Sequence, residues 1–158
     1  MLLTEQGSWV LRMQKALVQM NLQLTEVLTD VMGVTGQAIV RAIVAGEREP
    51  KLLARHRHGR VKRSEDDIVR ALTGNWRDEH LFVLGQAMAM FDSLAQCIVE
   101  CDAKIEALLM PLGRHDVALD GPGKRRSKNA PKFDARAALA RWAGVDLTRA
   151  STACQSPP

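Results

Sequence analysis

Apolar residues recur at Val10, Met13, Leu17, Met20, Leu24, Val27 and Val31 in alternating steps of three and four, the spacing that keeps one seam of an α-helix facing a partner helix. Leu11, Val18, Leu22 and Leu28 widen that stripe. The pattern therefore predicts one helix from a Ser8 N-cap to a stop at Gly33, touching more than one neighbour. Thr35 is expected to cap a second helix running through Ala45, with Ile39, Ala42 and Ile43 on its buried face and Gly46 just past its end. Pro50 suits the first turn of a short helix over 51–55. Ser64 with Asp67 three positions later reads as a capping-box start for a helix ending near Leu72, terminated by Thr73-Gly74-Asn75. The longest helix is predicted over 78–110, with a seam at Leu84, Ala87, Phe91, Leu94, Ile98, Cys101, Ile105 and Leu108, continuing to Leu112. Pro111 and Gly113 end it. A last helix, capped by Asp134, is predicted over 135–143 and stops at Gly144.

This is an all-α pattern: long coiled-coil-like helices, short connecting helices, basic linkers and a disordered C-terminal tail. Composition agrees, since the chain has three Phe, three Trp and no Tyr, while helix-forming Leu and Ala and gap-filling Met are abundant. Three segments are expected: a helical coiled-coil region over 1–112, a basic linker over 113–131, and a short helix with its tail over 132–158 that begins a further domain. The uninterrupted seam of the long helix predicts self-association through Leu84, Phe91, Leu94, Ile98, Ile105 and Leu108. Cys97 and Cys101, four residues apart on that helix, are expected to be core residues. With Cys154 they make an odd number, which suggests reduced thiols rather than a disulfide framework. No run approaches about eighteen consecutive apolar residues and no basic segment precedes an apolar stretch at the start, so a soluble cytoplasmic protein with no membrane partner is expected.

Twenty-two Lys and Arg against eighteen Asp and Glu leave a formal charge of only +4, and the placement of the cations matters more than their excess. Arg55, Arg57, Arg60, Lys62 and Arg63 form one cluster; Lys124, Arg125, Arg126 and Lys128 form another. Both fall in stretches without apolar period, expected to be flexible, where cations can follow the phosphate backbone of DNA or RNA without reading base edges. Catalytic chemistry has little to stand on. His56 and His58 lie near Glu65, Asp66 and Asp67, but the cations of residues 55–63 would repel a metal ion and no Cys-x-x-Cys pair is present. Those three acids suit the first turn of a helix. Ser64 and Ser93 have no identifiable base, so no catalytic residue, metal or cofactor is assigned.

Several strings resemble, in order, the DEDD transposases of the IS-one-ten type of insertion sequence, which are RNA-guided recombinases. They are Met13-Gln14-Lys15-Ala16-Leu17-Val18-Gln19-Met20-Asn21-Leu22-Gln23-Leu24, Gly33-Val34-Thr35-Gly36, Arg41-Ala42-Ile43-Val44-Ala45-Gly46-Glu47-Arg48 with Pro50, and Gly74-Asn75-Trp76-Arg77 before Glu79-His80-Leu81-Phe82. Glu100-Cys101-Asp102-Ala103-Lys104-Ile105-Glu106, Asn129-Ala130-Pro131 with Phe133-Asp134-Ala135-Arg136, and Gly144-Val145-Asp146-Leu147-Thr148 extend the resemblance over roughly residues 12–149. None of these strings is catalytic. The resemblance implies an N-terminal RuvC-like domain with four acids that bind Mg in the intact parent enzyme, a helical middle region, and a C-terminal domain carrying a serine nucleophile. This chain resembles the middle. Ahead of Met13 only Glu5 is acidic, and Ser151 lies in a short tail, so neither function is transferred. The expectation is a truncated bacterial transposase, inactive alone, that binds DNA and RNA weakly and forms a homodimer or a mixed dimer with a full-length relative. A small helical nucleic-acid-binding regulator and a coiled-coil adaptor are the alternatives.

Overall fold

The computed structural model describes residues 1–119, 121, 127 and 129–147. Among these the chain is all-α: α1 Leu2–Gln19, α2 Leu24–Val27, α3 Val34–Val44, α4 Pro50–Ala54, α5 Glu65–Ala71, α6 Asp78–Leu109 and α7 Ala135–Ala143, with a 3-10 turn at Met110–Leu112 and no strand. The tail over 150–158 and the cluster Lys124, Arg125, Arg126 and Lys128 lie outside the described residues. The chain divides into two compact units, Met1–Ala95 and Gln96–Pro158.

In the first unit the first predicted helix is broken. α1 starts at Leu2, ahead of Ser8, whose hydroxyl donates to the Thr4 carbonyl at 3.3 Å instead of capping an end. It stops at Gln19 because Asn21 takes a positive φ of 56°, a conformation Asn tolerates better than most residues. The corner is held from outside, since the Met20 carbonyl accepts the Asn75 N–H and the Ala71 carbonyl accepts the Gln23 N–H, each at 2.8 Å. Gly74 makes this approach possible: a β-carbon there would stand 2.4 Å from the Met20 carbonyl oxygen. Beyond the corner, Leu22, Leu24, Leu28, Val31 and Met32 are all buried. The three-four spacing thus fills a core from a folded corner rather than lining a straight coil.

That core combines Met13, Leu17 and Met20 with Ile39, Val40 and Ile43 of α3, Leu53 of α4, Ile68 of α5, Leu72, and Leu84, Ala87 and Met88 of α6. At roughly 1.5–3 kcal/mol for a fully buried aliphatic side chain, burial dominates over the surface ion pairs. Arg41 and Asp92 form a bidentate pair at 2.8 and 2.6 Å, and that hydrogen bonding raises the Arg41 guanidinium above its ordinary value. Both side chains are nearly half exposed, so the pair adds little stability.

The capping box of α5 forms as its sequence predicts: Ser64 Oγ accepts the Asp67 N–H and the Asp67 carboxylate accepts the Ser64 N–H, both at 3.1 Å. Hydrogen bonding to Ser64, then to Arg70, holds the Asp67 carboxyl below its ordinary 3.8. A depressed folded-state value means stability that is fully present above the ordinary value and lost as pH falls through the depressed one. Ser64→Ala is expected to lower stability by about 1 kcal/mol at neutral pH. In urea titrations the gap to the parent should narrow below pH 3.8 as Asp67 protonates; a gap independent of pH would remove the carboxylate from the cap.

In the second unit, α7 is capped by Asp134, whose carboxylate accepts the Ala137 N–H at 3.0 Å, and ends at Gly144 with φ +74°. Phe133, Ala138 and Ala140 are buried. Arg136 and Asp146 meet at 2.5 Å with side chains only 17% and 12% exposed, so removing either partner would strand the other in a partly desolvated site. The segment expected to be wholly linker over 113–131 is partly built in, because the His115 N–H donates to the Arg141 carbonyl at 3.1 Å.

The α6 stripe is divided. Leu84 is fully buried in the chain's own core, so it is not on a surface that a second copy could reach. Phe91, Leu94 and Ile98 are half-buried, whereas Ile105 and Leu108 are 47% and 57% exposed. Cys97 and Cys101 are exposed free thiols, which corrects their expected place in a core. By length and composition alone, Asp78–Leu112 is also apolar enough to cross a membrane, although no consecutive apolar run suggested it.

Candidate nucleic-acid interface

The basic stretch over 55–63 follows α4 and precedes the capped start of α5, so both of its ends are fixed by helices. The stretch, expected to be flexible, carries hydrogen bonds of its own and to α3. The Thr35 hydroxyl, on the first turn of α3, accepts the His58 N–H at 2.9 Å. Thr35 was expected to be an N-cap; the cap position is instead Gly33, and the 5%-exposed Thr35 serves as the loop's anchor. The Val61 N–H donates to the His58 carbonyl at 2.9 Å, and the Arg60 N–H to His58 Nδ1 at 3.2 Å.

Arg57 closes the loop. Its Nε donates to the Arg63 carbonyl and its Nη2 to the Val61 carbonyl, both at 2.7 Å. Two of its donors are therefore committed to the chain itself, and its side chain organises the loop more than it faces solvent. Arg55, Arg60, Lys62 and Arg63 are exposed. The sequence carried no signal for this division of labour, because it depends on where the loop carbonyls end up.

Arg60, Lys62 and Arg63 rim an open groove of about 650 Å³ whose opposite side comes from the α2–α3 connection, with Val27, Leu28 and Val34 as apolar surface. Glu26 and Asp30 also line it, so positive potential is concentrated at the loop rather than spread across the groove. Such an arrangement suits contacts to successive phosphates along one rim.

Among the described residues no three of His, Cys, Asp and Glu gather where they could hold a metal ion. The expected self-association residues do not form one surface, since Leu84 belongs to the core while Ile105 and Leu108 are exposed. Comparison of the chain with known protein families, curated proteins and solved structures found no match.

Proposed function

We propose that the chain is a non-catalytic helical region of an RNA-guided DEDD transposase, contacting the phosphate backbone of DNA or RNA through its 55–63 loop and self-associating through the exposed half of α6. The observation that carries the nucleic-acid reading is the pinned loop, which presents Arg60, Lys62 and Arg63 together to solvent. The ordered series of strings resembling that family supplies the transposase part of the reading. The exposed Ile105 and Leu108 favour a second reading, a coiled-coil adaptor that does not touch nucleic acid.

Fluorescence anisotropy with labelled duplex DNA and single-stranded RNA separates the two. Binding is expected at roughly micromolar dissociation constants in low salt, without sequence preference. Each phosphate contact contributes a slope of about −0.9 in log affinity against log salt on duplex DNA. The combined Arg60→Ala, Lys62→Ala and Arg63→Ala variant should therefore flatten the slope by about two to three. Salt-insensitive binding, or an unchanged slope in a variant with unaltered circular dichroism, would leave the adaptor reading.

A further inference from the structure

Cys97 and Cys101 stand four residues apart on α6, both free and both exposed. An α-helix rises about 1.5 Å per residue, and side chains at this spacing lie one above the other with β-carbons about 5–6 Å apart. A disulfide requires β-carbons about 3.5–4.5 Å apart, so the pair does not close on itself while the helix is intact. It can close on a common atom. Two sulfurs on opposite sides of one ion, each bonded at about 2.3 Å, stand about 4.6 Å apart.

The other donors nearby decide which ion fits. Glu100, between the cysteines, already accepts from Gln96 Nε2 at 2.9 Å, and Asp102 accepts the Lys132 N–H at 2.9 Å. No third ligand gathers with the thiols among the described residues. Zinc prefers four ligands, whereas soft closed-shell cations favour thiolate. Ile105, four residues beyond Cys101 and so beside it on the helix surface, is apolar and 47% exposed.

We infer that Cys97 and Cys101 form a two-thiolate site for a soft monovalent cation of the Cu(I) class. Loading breaks two S–H bonds and forms two metal–sulfur bonds, so one cation enters, two protons leave to solvent and no electron is transferred. The site uses one face of one helix and does not rest on the nucleic-acid or self-association readings.

The test uses the full chain carrying Cys154→Ser, so that only this pair responds, with Ag(I) as an air-stable probe of the same class and Zn(II) as the counter-probe. Native mass spectrometry should show one Ag(I) per chain, an indicator dye should report two protons released per ion, and a large excess of Zn(II) should not displace it. Cys97→Ser or Cys101→Ser should each weaken Ag(I) binding by about a hundredfold or more, because the second thiolate acts at a high effective concentration. Both positions are exposed, so these variants should keep the parent's circular dichroism. A single-serine variant that binds as tightly as the parent, one ion bridging two chains, or thiols blocked from a thiol reagent would each overturn the assignment.

Discussion

Replacing Gly36 by Ala should cost about 3 kcal/mol or more, a large part of the stability of a domain of this size. A β-carbon at position 36 would lie 2.0 Å from the Val31 carbonyl oxygen, 2.5 Å from its carbon and 2.8 Å from its Cα. All three are backbone atoms, so no side chain can swing away to make room. The backbone is also held in place. The Asp30 carboxylate accepts the Met32 N–H at 2.9 Å, Gln37 Nε2 donates to the Met32 carbonyl at 3.0 Å, and Val31 is 2% exposed. Helix propensity alone would favour Ala over Gly by about 1 kcal/mol, so the sign of the change reports the steric clash. Gly7 supplies the control, because it lies within α1 and a β-carbon there meets nothing within 4 Å. Gly7→Ala should stabilise by up to about 1 kcal/mol. Urea unfolding followed by tryptophan fluorescence, with Trp9 and Trp76 packed against the core, measures both variants. If Gly36→Ala unfolds within about 0.5 kcal/mol of the parent, α3 does not approach Val31 this closely.

Helix boundaries were most legible where the chain carries local punctuation. Pro50, the Ser64–Asp67 box, and Asp134 with Gly144 each act within a few residues, and each marks the helix end predicted for it. The break after Gln19 was hidden because the three-four spacing of α1 continues through Leu24, Val27 and Val31. Spacing alone cannot distinguish a straight helix from a corner that returns the same residues to one core. Within the candidate interface the cations of 55–63 were legible as a cluster, but their roles were not. Arg57 turns inward and Thr35 anchors the loop through hydrogen bonds to groups four to twenty-three residues away. Cys97 and Cys101 were misplaced for a related reason: the apolar stripe extends farther along α6 than the chain's own core does.

That mismatch sets up the second large effect, which separates the two halves of α6. Leu84→Ala should destabilise the first unit by about 2–5 kcal/mol, the range for emptying a leucine site in a packed core, because Leu84 is fully buried beside Ala87 and Met88. Ile105→Asp with Leu108→Asp should change stability by only about 0.5 kcal/mol per site, since exposed positions away from caps and cores tolerate substitution and these side chains are 47% and 57% exposed. The same double variant should abolish self-association, because a charge at each of two seam positions would be desolvated against a second copy. Sedimentation of the parent at tens of micromolar, an ordinary range for modest interfaces, should show a dimer, and the double variant a folded monomer. Leu84→Ala should shift the unfolding midpoint without altering association in the fraction that remains folded. A parent that stays monomeric, or a double variant that still dimerises, would remove the exposed half of α6 as the contact and leave its apolar residues as isolated surface positions.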